Sequence, residues 1–279
     1  IWIGIGLVTA ATFYPSGFAV VVATLGGRAR QGVTLMTLIA GFASTVFIPL
    51  ISLLIDHVGW RDSFMYLGII LLATSVPIHG IVLRQERVPG AGATDRPRIF
   101  TIDLKSGPVA AALRNSKFWW IGICFTANSF VMAGVTVHII PLMLERGYNM
   151  ATVIATTAMI GPCQVSGRIF VTVFEKWIDF RMAGLISCIF LLIGFALLSF
   201  AQPDNSLNFI FPIFYGAALG IITIVRALAV PELIGPAAYG ALNGLLGFAS
   251  AMALAATPVL LSWIWLISGN YTAPLIALS

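Results

Sequence analysis

Acidic residues are scarce in this sequence: Asp and Glu together number 10 among 279 residues, against 15 Lys and Arg. With 9% charged and 59% hydrophobic residues, the chain cannot clothe a soluble domain of this length, which takes roughly 25% charged residues. An ordinary soluble enzyme is excluded. Cysteine is scarce as well. Cys124, Cys163 and Cys188 each lie inside an apolar segment, so three scattered thiols make neither a disulfide framework nor a zinc cluster and read as small buried hydrophobes. No H-E-x-x-H, G-x-S-x-G, P-loop or dinucleotide fingerprint occurs, so neither an enzyme activity nor a cofactor or metal site is expected. The basic residues form no stripe interleaved with aromatics, and no nucleic-acid partner is expected. Long polar runs are missing too, with one exception.

That exception is 84–117, which holds Arg84, Arg87, Arg96, Arg98, Lys105, Arg114 and Lys117. Around it the mean hydropathy of +1.00 comes from apolar segments near the roughly 20 residues that a bilayer span requires. They run over 1–25, 33–55, 63–83, 118–144, 150–174, 182–200, 208–230 and 239–267, with a ninth starting at 271. Alternation along the chain puts Arg28, Arg30, the polar segment, 168–181 and Arg226 on one side, and leaves Arg61 and Arg146 on the other. Lys and Arg resist translocation, so the rich side faces the cytoplasm. The fold class expected is an all-α polytopic membrane protein, in contact with the lipid bilayer and placed in a bacterial inner membrane. Gly41-Phe42-Ala43-Ser44 recurs as Gly247-Phe248-Ala249-Ser250, each followed by a mid-span proline, Pro49 or Pro258. Secondary carriers are often built from two such halves.

Four local patterns carry a family resemblance. They are Gly59-Trp60-Arg61, Phe118-Trp119-Trp120 after the basic segment, Gly161-Pro162 with Gly167-Arg168, and Pro231-Glu232-Leu233-Ile234-Gly235. With the order of spans, they make the chain resemble the major facilitator superfamily. Among its branches the chain is most similar to bacterial monocarboxylate and oxalate/formate-type carriers. The resemblance implies two helical bundles and a fragment covering helices 4 to 11 and the start of 12. Residues 1–83 then belong to the N-terminal bundle, 84–117 to a cytoplasmic linker and 118–279 to the C-terminal bundle. It also implies a monomeric secondary transporter that moves a small organic solute by alternating access, coupled to an ion gradient. The basic residues which that branch carries in helices 8 and 11 are absent here. The alternative is a non-transporting membrane sensor or assembly protein of the same fold, its cavity plugged by bulky apolar residues.

No expected span carries a central charge, which favours a neutral, amphipathic or modestly polar solute. The candidate contacts are uncharged: Tyr14, Thr45, Asn128, His138, Gln164 and Tyr215. Each has helix packing or an interhelical hydrogen bond as its competing role. Thr157, Gly161, Gln164 and Arg168 share one helix face by their spacing, as do Thr34, Thr37, Gly41 and Ser44. Arg168 is expected to anchor a loop at the membrane surface, and Gly240, Gly244 and Gly247 to form a packing seam. His138, with a reference pKa near 6.5, is the side chain able to exchange a co-transported proton at neutral pH.

Overall fold

A bilayer offers no water to backbone N–H and C=O groups, so spanning segments satisfy them internally as helices. The computed structural model follows that rule. It describes residues 14–25, 28–41, 43–85, 107–235 and 239–278, and among these it contains helices and no strand. In chain order they are α1 (Tyr14–Leu25), α2 (Ala29–Gly41), α3 (Ala43–Gln85), α4 (Gly107–Leu113), α5 (Ser116–Glu145), α6 (Met150–Val173), α7 (Phe180–Phe200), α8 (Leu207–Leu233), α9 (Tyr239–Ser268) and α10 (Thr272–Leu278). Leu53–Ile78 within α3, and all of α5, α7, α8 and α9, are long and apolar enough to cross a membrane.

The chain divides into two compact units, one of residues 1–42 and 103–279 and one of residues 43–102. The second is described through α3. There the sequence predicts two spans with a break at 56–62, and α3 is two helices that meet across a kink at Gly59 (φ 78°, ψ 167°). That left-handed region favours glycine. The Ser63 hydroxyl donates to the Gly59 carbonyl at 2.6 Å. Phe64, Leu72 and Ile81 are among many exposed apolar side chains on this helix, a surface that suits hydrocarbon rather than water.

The first unit is a bundle centred on α8, which packs along both α6 and α7, while α5 packs along α9. Asn115, Asn149 and Asp179 start α5, α6 and α7 by accepting backbone N–H bonds with their side chains, the N-cap chemistry of such residues. Lipid tails are as apolar as leucine, so close approach and polar cross-links hold such helices together rather than a hydrophobic driving force. Here Gly167, Gly216 and Gly220 put the backbones of α6 and α8 in contact, leaving no room for a Cβ. The Ser187 hydroxyl donates to the Ala218 carbonyl (3.0 Å), and Asn208 Nδ2 donates to the Thr156 hydroxyl (3.2 Å). Among the described residues the seam expected at Gly240, Gly244 and Gly247 is not made: nothing lies within reach of a Cβ at any of the three.

Two apolar clusters fill the bundle at its two ends. One lies at the basic end and joins Phe18, Val22 and Val33 to Phe125, Val171, Val225 and Leu242. The other lies at the opposite end and joins Ile139, Leu142, Val153, Leu198, Phe211 and Leu261. Exposed tryptophans mark both rims, Trp119, Trp120 and Trp177 at the first and Trp263 and Trp265 at the second, as in membrane-interface belts.

Candidate functional site

Between the two clusters lies a layer of polar side chains. On α5 it falls between Phe125 and Val135, where Asn128 and Ser129 sit. On α6 it falls between Val153 and Val171, where Thr156, Thr157, Gln164 and Arg168 sit. On α9 it falls between Leu246 and Leu261, where Ser250 and Thr257 sit. Buried polar groups normally find partners. Several here find none: Asn128 Oδ1, Ser250 Oγ and Arg168 Nε are all buried without a hydrogen bond among the described residues.

Two arginines reach this layer, each from the last third of its helix rather than from mid-span. Arg168 is 4% exposed. Its Nη1 donates to the Thr37 carbonyl of α2 at 3.1 Å, its guanidinium lies against Gly41, and the Tyr14 phenol is nearby. It therefore joins α6 to α2 inside the bundle instead of meeting headgroups at the surface. Arg226 lies in α8, well before the helix ends at Leu233. Its Nη1 donates to the Ser129 hydroxyl at 3.3 Å, near the middle of the thirty-residue α5, and its Cζ sits 5.1 Å from the Phe125 ring centroid.

A sequence signal for this inward direction exists. Helical side chains lean toward the helix N-terminus. In α6 and α8 the N-terminus is at the non-basic end, so arginines near the basic end of these helices lean into the bundle. Neither arginine has a carboxylate partner among the described residues. They differ in access: every Arg226 nitrogen is bonded or open, whereas the Arg168 Nε is sealed.

The remaining candidates fall in different places. Gln164 is half-buried in α6, where its backbone meets Gly220. Tyr14 is half-buried in α1 and stacks on Phe18 at 5.3 Å. Tyr215 is 1% exposed, stacked on Phe211 and packed against Gly194 in the opposite-end cluster. Thr136 lies beside its hydroxyl without hydrogen-bond geometry. Thr45 belongs to the second unit, and its side chain is outside the described residues.

His138 is buried at the opposite end. Its Nε2–H donates to the Pro258 carbonyl (3.3 Å), which leaves Nδ1 to accept the Tyr271 hydroxyl (3.3 Å). It lines a cleft with Leu261, Tyr271, Pro274 and Leu278 that has room for about one water, near 10 Å³. The structure thus brings Asn128, Gln164 and Tyr14 to the level of the two arginines and leaves His138 and Tyr215 apart from them. Arg226, Ser129, Thr156, Ser250 and Thr257 are the members that sequence reasoning did not select.

The family model of the Major Facilitator Superfamily matches residues 1–258. A search of curated proteins gave no match.

Proposed function

The chain belongs to the Major Facilitator Superfamily and is a multi-pass membrane transporter of that family; we propose that it carries a small organic solute by alternating access between two lobes. On this reading α1 and α2 come from the N-terminal lobe, α5–α10 form the C-terminal lobe, and the solute binds in the polar layer between the apolar clusters. The observation that carries the reading is the cross-packing at the basic end. Phe18, Val22 and Val33, early in the chain, are buried in one cluster with Val171, Val225, Leu228 and Leu242. Arg168 bridges the same two groups of helices through the Thr37 carbonyl. A contact between lobes that closes one side of a carrier must come apart in its cycle.

The basic end faces the cytoplasm of a bacterial cell, by the charge bias of its loops. The arrangement is then closed toward the cell and is the form that takes solute from outside. The unit is a monomer. A proton coupled through His138 is the corresponding proposal for the driving ion, and a His138→Gln protein with unchanged pH dependence of transport would remove it.

The test is uptake of a labelled compound library by proteoliposomes of the full-length protein, combined with thiol labelling. Val33 is fully buried in the seal, so Val33→Cys should resist alkylation from the basic side until a transported solute is added. Uptake no greater than in protein-free vesicles, with labelling unmoved by any solute, would refute the proposal.

A further inference from the structure

We propose that the Tyr239 hydroxyl is a releasable clip on a proline hinge in α8, and that undoing it lets the basic end open. The inference rests on the transporter reading and goes beyond it by naming the joint that moves. A helical carbonyl is bonded by the N–H four residues further on. Pro231 lies inside α8 and has no N–H, so the rung to the Ala227 carbonyl cannot form, and the proline ring crowds that oxygen. The oxygen is not left bare. The Tyr239 hydroxyl, at the first residue of α9, donates to it at 3.0 Å. Inside a bilayer a freed backbone group is re-satisfied in this way, by a side chain of a neighbouring helix.

The hydroxyl is held from behind. Asn243 stands one turn further along α9, and its Nδ2 donates to the Tyr239 oxygen at 3.5 Å. The chain from Asn243 through Tyr239 to Ala227 uses one hydroxyl as both acceptor and donor, and bonds in such a chain strengthen one another. Tyr239 is 5% exposed, so water does not compete for the carbonyl while the basic end is closed. Beyond the proline only a short lever remains. The Val230 carbonyl takes the N–H groups of both Ile234 and Gly235, which closes the last turn. A rung inside one helix moves with that helix, whereas a bond from its neighbour is lost when the two shift. Prolines are where such helices bend. The Tyr239 ring shares its apolar cluster with Phe18, Val22 and Val33, the side chains from α1 and α2 that close this end. Parting of that seal uncovers the clip, and water from the basic side then hydrates the freed carbonyl, which limits the cost of opening.

The experiment is a double-mutant cycle on the full-length protein in nanodiscs, with alkylation of Val33→Cys from the basic side as reporter and no solute added. Tyr239→Phe removes the hydroxyl and keeps the ring. It should speed alkylation about tenfold, the factor for one buried carbonyl left unbonded in the closed form alone. Pro231→Ala restores the N–H that the Ala227 carbonyl lacks and should slow alkylation. Adding Tyr239→Phe to Pro231→Ala should change the rate by about twofold or less, because the backbone then supplies the donor. A hydroxyl with a merely structural role would lower the unfolding temperature of Tyr239→Phe and leave alkylation unmoved. That result would overturn the clip, and so would an acceleration by Tyr239→Phe that is equal with and without Pro231→Ala. Uptake by native proteoliposomes together with unmoved alkylation in Tyr239→Phe would overturn the clip alone. Alkylation that responds as expected in a protein that takes up no compound would support the clip and sink the transporter reading instead.

Discussion

The two ends of the bundle are held by different chemistry. At the basic end, helices distant in sequence meet mainly through apolar side chains, with the Arg168 bond to the Thr37 carbonyl joining α6 to α2 and the Tyr239 hydroxyl donating to the Ala227 carbonyl at 3.0 Å. At the opposite end, polar clasps tie neighbouring connections to helix ends. Arg146 donates to the carbonyls of Leu198, Ser199 and Ala201, where α7 runs out of internal partners. The two Glu145 oxygens accept from the Tyr271 backbone N–H (2.8 Å) and from Trp265 Nε1 (2.9 Å). Apolar contacts are non-directional and can slide and re-form as two faces move. Several charge-assisted hydrogen bonds to backbone are tied to one geometry. On the alternating-access proposal the basic end is therefore the one that parts, while the opposite end of the same bundle stays together.

The largest effect should come from a change that both ends share. At Gly220 a Cβ would strike the Gln164 backbone, so Gly220→Val should separate α8 from α6 over their whole length. The expected cost is about 3 kcal/mol or more, the upper range for overpacking, read as a lowered unfolding temperature and aggregation in micelles. Gly240→Val, placed in open space, is the control and should be neutral. If Gly220→Val altered labelling at one end only, α8 would not be the common support.

A smaller, one-sided effect is expected for Arg168→Gln. Removing a guanidinium with a sealed, unpartnered Nε should not lower stability. It should loosen the basic end by the worth of one charge-assisted bond, about 1.5 kcal/mol, which speeds alkylation of Val33→Cys about tenfold. Trp265 emission, reporting the opposite end, should not change. Unchanged labelling would show that apolar packing closes the basic end without the arginine.

Much of the architecture is legible in the chain, and the exceptions share a cause. The spans at 118–144, 182–200, 208–230 and 239–267 follow from composition, which sequence displays directly, whereas the one expected at 33–55 is divided between α2, ending at Gly41, and α3, starting at Ala43. Thr37 and Gly41 stand out by spacing, and both prove to lie where two helices touch. Which glycines bear a close crossing is not local: Gly167, Gly216 and Gly220 do, while Gly240, Gly244 and Gly247, equally regular in sequence, meet nothing among the described residues. Arg226 is the more instructive miss. Charge counting treats an arginine near a span's inner end as part of the loop, since such side chains commonly snorkel to the interface. Chain direction makes snorkelling harder for α8 than for a helix that starts at that interface. Ser129 as its partner comes only from the packing of α5 against α8. Gly59 is legible for the opposite reason, since Gly-Trp-Arg reads locally as a break and two helices do meet across a kink there.

The smallest effect sharpens the account of the opposite end through pH. Burial, and then the negative charge of Glu145, push the Tyr271 phenol above its ordinary value of 10.0. Burial does the same to Tyr148, with Arg146 opposing. A phenol raised in the folded state stabilises fully below its unfolded pKa, and that contribution is lost as pH climbs through 10 toward the folded value. The clasped end should therefore weaken only in alkali, with no change across neutral pH from these groups. Tyr271→Phe removes the ionisable hydroxyl while keeping the Tyr271 backbone N–H bonded to Glu145, although it also gives up the bond to His138. Its unfolding temperature should start slightly lower than native and then fall less steeply between about pH 9 and 11. An equally steep fall would show that the Tyr271 phenol does not carry the alkaline weakening and would leave Tyr148 as its source, with the backbone bond from Tyr271 to Glu145 intact.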